Sequence, residues 1–129
     1  MQSLQSVHYV YAVDKKGMSD IFIRLKNVLA SQPDTLATLI YCSAEDSFIF
    51  SKELEVLQKR YPSRLLVYLL NSSPIGAAAM LQEVLESLIN ADTSDDLLFI
   101  LSGDEEFINV VTDRLWFLGI GKQQINLLF

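Results

Sequence analysis

The sequence predicts a three-layer α/β/α domain, a parallel five-stranded sheet covered by helices on both faces. Two observations carry this. Five short apolar runs, rich in β-branched and aromatic residues, alternate with four longer segments whose apolar residues recur at helical spacing. The chain has 129 residues, half of them hydrophobic, which is the size and composition of one globular domain, 1–129.

Val7–Val13 (VHYVYAV) reads as a buried strand. Met18–Ser31 follows as a helix with Met18, Ile21, Phe22, Leu25, Val28 and Leu29 on one face, and Ser19 as a candidate cap. Thr35–Cys42 is the second strand. Ser51–Tyr61 is a helix stopped by Pro62. Leu65–Leu70 is the third strand, closed by a turn at Asn71-Ser72-Ser73-Pro74. Ala77–Asn90 is a third helix, with Met80, Leu81, Val84, Leu85, Leu88 and Ile89 on one face, and 92–96 is a polar loop. Leu97–Ser102 is a strand and Asp104–Leu118 a helix, with Gly119 fitting its C-terminal cap. Gln123–Phe129 is the last strand. No repeat or low-complexity tract interrupts the alternation.

Composition narrows the function classes. Ten Lys and Arg against sixteen Asp and Glu give a formal charge of −6, which provides no general attraction for a phosphate backbone, so a nucleic-acid partner is not expected. One cysteine, Cys42, and one histidine, His8, exclude a disulfide, a CxxC site and a His/Cys metal cluster, so no metal is expected. No apolar run approaches the ~20 residues of a membrane span, and no basic stretch precedes the first apolar run. A cytoplasmic protein with no membrane partner is expected.

In an open parallel sheet, ligands bind beyond the carboxyl ends of the strands. Candidate residues therefore lie in short segments after each strand. After the first strand come Asp14, Lys15, Lys16, Gly17, Met18 and Ser19. Gly17 permits close backbone approach and the lysines attract phosphate, while Asp14 and Asp20 repel it. An ordinary strand-to-helix turn with a solvated lysine pair is the alternative. Neither GxGxxG nor GxxxxGK[ST] occurs. Ser102-Gly103-Asp104 ends the fourth strand, and Asp104, Glu105 and Glu106 suit a helix N-terminus better than catalysis. Cys42 reads as a buried thiol rather than a nucleophile, because His8 begins a different strand. No catalytic residue is assigned. On the fourth helix Val110, Trp116 and Phe117 exceed what a core stripe needs, and with the C-terminal strand they form a candidate association face. A core that wraps further round the helix is the alternative.

Several motifs give the chain a family look. Thr38-Leu-Ile-Tyr-Cys-Ser43, Phe50-Ser-Lys-Glu-Leu-Glu-Val-Leu57, Arg60-Tyr-Pro-Ser-Arg64 and Leu118-Gly-Ile-Gly-Lys-Gln-Gln-Ile125 follow one another in order, ending in Phe129. In that order and spacing the chain resembles, over nearly its full length, the C-terminal NAD(P)-binding domain of the ferredoxin–NADP⁺ reductase superfamily. Within it, the chain looks most like the reductase components of phenylacetyl-CoA-type oxygenases. The resemblance implies a Rossmann-like sheet of order 3-2-1-4-5, with the first two helices on one face and the last two on the other. A receiver-like order, 2-1-3-4-5, is the rival that periodicity does not exclude.

The resemblance also implies a site, with departures. The family's phosphate turn GSGITP falls on Lys15-Lys16-Gly17-Met18-Ser19-Asp20, and its CGP motif on Ser102-Gly103-Asp104. Lys15, Lys16, Gly17, Ser19, Ser102 and Gly103 would then line an NAD(P) site, with weak binding. The family's arginine for the adenosine phosphate falls near Ala44, with no basic replacement. The flavin-binding barrel that precedes this domain in the family is expected to be absent. Two functions follow as expectations. The first is a degenerate binding or scaffold module with no hydride transfer of its own, forming a homodimer through Val110, Trp116, Phe117 and the last strand. The second is the NAD(P)H-binding half of a split flavin-dependent oxidoreductase, docking a separate FAD or redox protein there.

Overall fold

The computed structural model describes residues 7–45, 47–72, 76, 78–91 and 97–128. Five strands, β1 (His8–Val13), β2 (Leu36–Ser43), β3 (Leu65–Asn71), β4 (Leu97–Ser102) and β5 (Ile125–Leu128), form one sheet. Every neighbouring pair is parallel and the order is β3-β2-β1-β4-β5. β1 is central and β3 lies at an edge, which excludes the receiver-like order. The strands alternate with α1 (Lys15–Ser31), α2 (Ser51–Arg60), α3 (Ala78–Ala91) and α4 (Glu105–Phe117), and a 3₁₀ turn at Lys122–Gln124 leads into β5.

Because side chains alternate across a strand, each strand feeds two cores. Tyr11, Val13, Leu39 and Tyr41 pack under α1 (Met18, Ile21, Phe22, Leu25, Leu29) and α2 (Leu54). Val10, Ala12, Ile40, Cys42, Phe99 and Leu101 pack under α3 (Leu81, Leu85, Leu88) and α4 (Phe107, Ile108, Val111, Leu115). The first two helices thus share one face and the last two the other. Full burial of one such aliphatic or aromatic side chain contributes about 1.5–3 kcal/mol, and the two cores together hold the three layers.

The end of the sheet away from the strands' carboxyl termini is held by Arg64. Its guanidinium donates to the carbonyls of Thr35 (2.9 Å), Leu29 (3.0 Å) and Gln32 (2.6 Å), so one side chain satisfies carbonyls at the end of α1 and the start of β2. His8 Nε2 lies 2.8 Å from Thr38 Oγ1 in the core beneath β1 and β2.

The structure corrects four local expectations. α1 begins at Lys15, three residues earlier than Met18, because Asp14 is its N-cap and accepts from Gly17 N. Ser19 is therefore inside the helix and caps nothing. β5 begins at Ile125 rather than Gln123, since the 3₁₀ turn takes up residues 122–124. Val110 packs half-buried against the α3–α4 core, so it is not part of a surplus apolar face. Trp116 and Phe117 are exposed, at 54% and 72%. Gly119 has φ +89° at the end of α4, as its predicted capping role requires. The turn at 73–74, the start of the third helix at Ala77, the loop at 92–96 and Phe129 lie outside the described residues.

Candidate functional site

Register brings the carboxyl ends of the strands together: Val13 is opposite both Tyr41 and Ser102, and Ser43 is opposite Asn71. The chain leaves β1, β2 and β4 side by side, and the gap above them is a cleft of about 720 Å³. This is the size range of small-molecule sites. Its walls are Asp14, the cap of α1, with Lys15, Lys16 and Ser19 from its first turns, Cys42 and Ser43 at the end of β2, Ala44, Glu45 and Ile49 after it, Ser72 after β3, and Asp104, Glu106 and Phe107 at α4.

Asp14 organises this cleft. One carboxylate oxygen, Oδ1, accepts from Gly17 N at 2.8 Å, and Oδ2 accepts from Asp104 N at 2.9 Å. A single side chain therefore ties the start of α1 to the residue before α4. Two glycines allow the approach. Gly103 has φ +149°, and a Cβ there would lie 2.5 Å from the Asp14 carboxylate. Gly17 is buried, and a Cβ on it would run into the Ser102 carbonyl.

The two lysines are engaged. Lys15 Nζ donates to Glu45 Oε1 at 2.7 Å and to Ser47 Oγ at 3.5 Å, and this bond to the Glu45 carboxylate is the main cause that raises the Lys15 pKa above its ordinary value. Lys16 Nζ lies 3.4 Å from Asp104 Oδ1. The loop after β2 is fixed from below: Ser43 Oγ donates to the carbonyls of Glu45 and Ser47, and Asn71 Nδ2 donates to the Glu45 carbonyl at 3.1 Å. Tyr41 Oη accepts from Ile49 N at 2.9 Å. Altogether four carboxylates and two ammonium groups face the cleft.

Of the six residues predicted to line the site, Lys15, Lys16 and Ser19 are in its wall. Gly17, Ser102 and Gly103 are not: Ser102 is 1% exposed, and Gly17 packs on its carbonyl. The glycines serve backbone packing between α1 and β4. The segments after β2 and β3 also border the cleft, whereas sequence reasoning did not single out Ser43, Glu45, Ile49 or Phe107. Nothing in their residue types marks them, and only their place near the carboxyl ends of the strands does.

Cys42 sits under the cleft at 1% exposure. Burial, and then the Asp14 charge, push its pKa up to about 12, so the thiol is protonated at neutral pH and is no nucleophile there. His8 lies at the first residue of β1, the opposite end of the strand from Asp14. Among the described residues no group of three His, Cys, Asp or Glu side chains is placed to hold a metal ion. No helix among them is long and apolar enough to cross a membrane.

Sequence comparison matches no protein-family model and no curated protein. Structure comparison does match. Ferredoxin–NADP⁺ reductase from Plasmodium falciparum superposes with a TM-score of 0.81 at 16% identity, over 95% of this chain and 51% of that one. The CS-b5R domains of human Ncb5or in the NAD⁺ form give 0.78 at 22% identity, over 96% of this chain and 37% of that one. The C-terminal domain of the PF1911 hydrogenase from Pyrococcus furiosus gives 0.62 at 16% identity, over 99% of this chain and 95% of that domain. The fold is thus that of the NAD(P)-binding domain of the ferredoxin–NADP⁺ reductases. The chain spans about half the length of the Plasmodium reductase and less of the human protein.

Proposed function

We propose that this chain is a ferredoxin reductase-like domain whose dinucleotide cleft has been turned into a binding or scaffold module, without hydride transfer of its own. The Asp14 carboxylate carries the reading. It takes up two backbone amides, Gly17 N and Asp104 N, at the strand-to-helix turns beside which a fold of this class holds a pyrophosphate. A phosphate entering there meets a negative charge already bonded to those donors. Glu45 and Asp104 hold the two nearby lysines, and Glu106 adds a further negative charge. The residues present do not fit a dinucleotide pyrophosphate.

The other reading is the NAD(P)H-binding half of a split flavin-dependent oxidoreductase that works with a separate FAD protein. What favours it is that both lysine pairs are open to solvent, with Lys16 73% and Asp104 66% exposed, so they hold weakly and can rearrange.

Calorimetric titration with NADPH and NADH decides between the two. Loss of one charged hydrogen-bond partner costs about 1.5–3 kcal/mol, and each 1.4 kcal/mol is tenfold. Two such losses move a micromolar site to roughly millimolar or weaker, with no preference between the two nucleotides. Micromolar NADPH binding that Lys15→Ala weakens would sink the degenerate reading and support the split reductase.

A further inference from the structure

Among the described residues β5 pairs with β4 alone, so its outer edge presents backbone groups that no other strand takes up. Its four residues, INLL, carry no lysine, proline or bulge of the kind that shields sheet edges. Leu127 is half-exposed there and, in register with Leu101, lies on the face of the sheet that α3 and α4 cover.

α4 runs back alongside this edge. Arg114 Nη1 donates to Gln82 Oε1 at 3.0 Å, so that flank of α4 faces α3. With 3.6 residues per turn, Glu105, Asn109, Thr112 and Trp116 stand on the opposite flank, and because α4 leads from β4 to β5 this is the flank toward β5. Trp116 is exposed on it. The strip made by this flank and the edge is charged only at its ends. Glu105 opens α4 beside the carboxyl end of β4. Lys122 lies at the amino ends of β4 and β5, where the 3₁₀ turn is held by Gln124 Nε2 donating to the Leu97 carbonyl at 3.1 Å. Between them Asn109, Thr112 and Trp116 on the helix, and the whole run from Gln123 to Leu128, are uncharged. Neither Glu105 nor Lys122 makes an ion pair with a described residue.

A strip that is acidic at one end, basic at the other and neutral with a tryptophan between them is its own complement when turned end for end. We infer that the β5 edge is where a second copy of this chain docks, the two β5 strands pairing antiparallel across a two-fold axis into one ten-stranded sheet. The axis sets the acidic end of one copy beside the basic end of the other, so Glu105 faces the second copy's Lys122 and Lys122 faces its Glu105. Leu127 and Trp116 form the uncharged centre, the composition that buried interface cores have. An extended peptide from another protein would satisfy the edge amides but leave Trp116 and both charges unused. This face is separate from the cleft around Asp14 and does not rest on the function proposed for it.

The test is sedimentation equilibrium of the full chain and four variants at up to ~100 μM, with circular dichroism to show that each is folded. The parent should be a dimer whose dissociation constant rises with salt. Leu127→Lys, which puts a charge on the edge, should raise that constant about tenfold or more. Leu69→Lys, an exposed position on the opposite edge strand β3, should leave it unchanged. Glu105→Lys alone should weaken the dimer, and Glu105→Lys combined with Lys122→Glu should restore it, because the reversed charges meet again across the axis. Amide exchange in β5 should slow as protein concentration rises. A monomer at ~100 μM, a dimer indifferent to Leu127→Lys, a dimer broken by Leu69→Lys, or a charge-reversed pair no tighter than Glu105→Lys alone would each overturn the assignment.

Discussion

Replacing Asp14 with alanine tests the central contact of the cleft. The substitution removes the N-cap of α1 and the acceptor for Asp104 N together. A lost cap costs about 0.5–2 kcal/mol. The second bond joins a charged acceptor to an amide at a partly solvated edge, so water recovers part of it and about 1 kcal/mol remains. The total is about 1.5–3 kcal/mol. With an unfolding entropy of about 2.1 cal/mol/K per residue, a domain of this length loses about 6–11 °C in melting temperature. Gly103→Ala alone should also destabilise strongly, because its Cβ would meet the carboxylate at 2.5 Å with φ at +149°. In the double variant the clash is gone, so the two effects should fall short of their sum by at least about 1 kcal/mol. Scanning calorimetry of the four proteins gives this cycle directly. Freed of the carboxylate, the Gly17 and Asp104 amides should also bind ADP more tightly in Asp14→Ala than in the parent. A melting shift under about 2 °C, or strict additivity with Gly103→Ala, would refute the reasoning that one carboxylate locks the two elements.

Other expectations are simpler. Gly17→Ala forces a methyl into the Ser102 carbonyl and should cost about 3 kcal/mol or more, read from urea unfolding. The Cys42 thiol should resist iodoacetamide at pH 8 in the folded protein and react once urea unfolds it. Burial raises Cys42 from 9.0 to about 12 and Tyr11 from 10.0 to about 12, so in both the folded state favours the neutral form. The unfolded chain then loses these protons first, and stability that is complete below about pH 9 should fall between pH 9 and 12. The exposed Trp116 and Phe117, with β5, are proposed as a homodimer face. Sedimentation at ~100 μM should show a dimer that Trp116→Ala weakens, and a strict monomer would dismiss it.

The layered architecture was legible because each element carries its own period. The apolar run of β4, LLFIL, cannot sit as a surface helix, and Met18, Ile21, Phe22, Leu25 and Leu29 cannot sit as a strand. Strand order came from the family motifs, since hydrophobic period does not distinguish neighbours. The site was less legible for a physical reason. Asp14, Lys15, Lys16 and Asp104 were counted as separate charges, whereas their meaning lies in pairing across ninety residues. Asp14 in particular reads as a phosphate-repelling charge until its role as the α1 cap is seen. The lone turn glycine, Gly17, reads as a ligand contact until the Ser102 carbonyl is found against it.

The Arg64 clasp bears on the order in which the molecule assembles. It joins residues about thirty apart, all within the β1–β3 portion of the chain. Pairing β1 with β2 brings His8 to Leu36, while pairing β1 with β4 brings the same His8 to Leu97, a loop about three times longer. Each doubling of a closing loop adds about 0.6 kcal/mol of entropic cost, so the longer closure is dearer by about 1 kcal/mol before any contact rewards it. β1, β2, β3 and their two helices therefore form the earlier unit, with the arginine fastening its base, and β4 and β5 dock onto the free edge of β1 afterwards. The bond from Asp14 to Asp104 N spans both stages, so the rim of the sheet that carries the cleft is completed last and, in native-state hydrogen exchange, opens first.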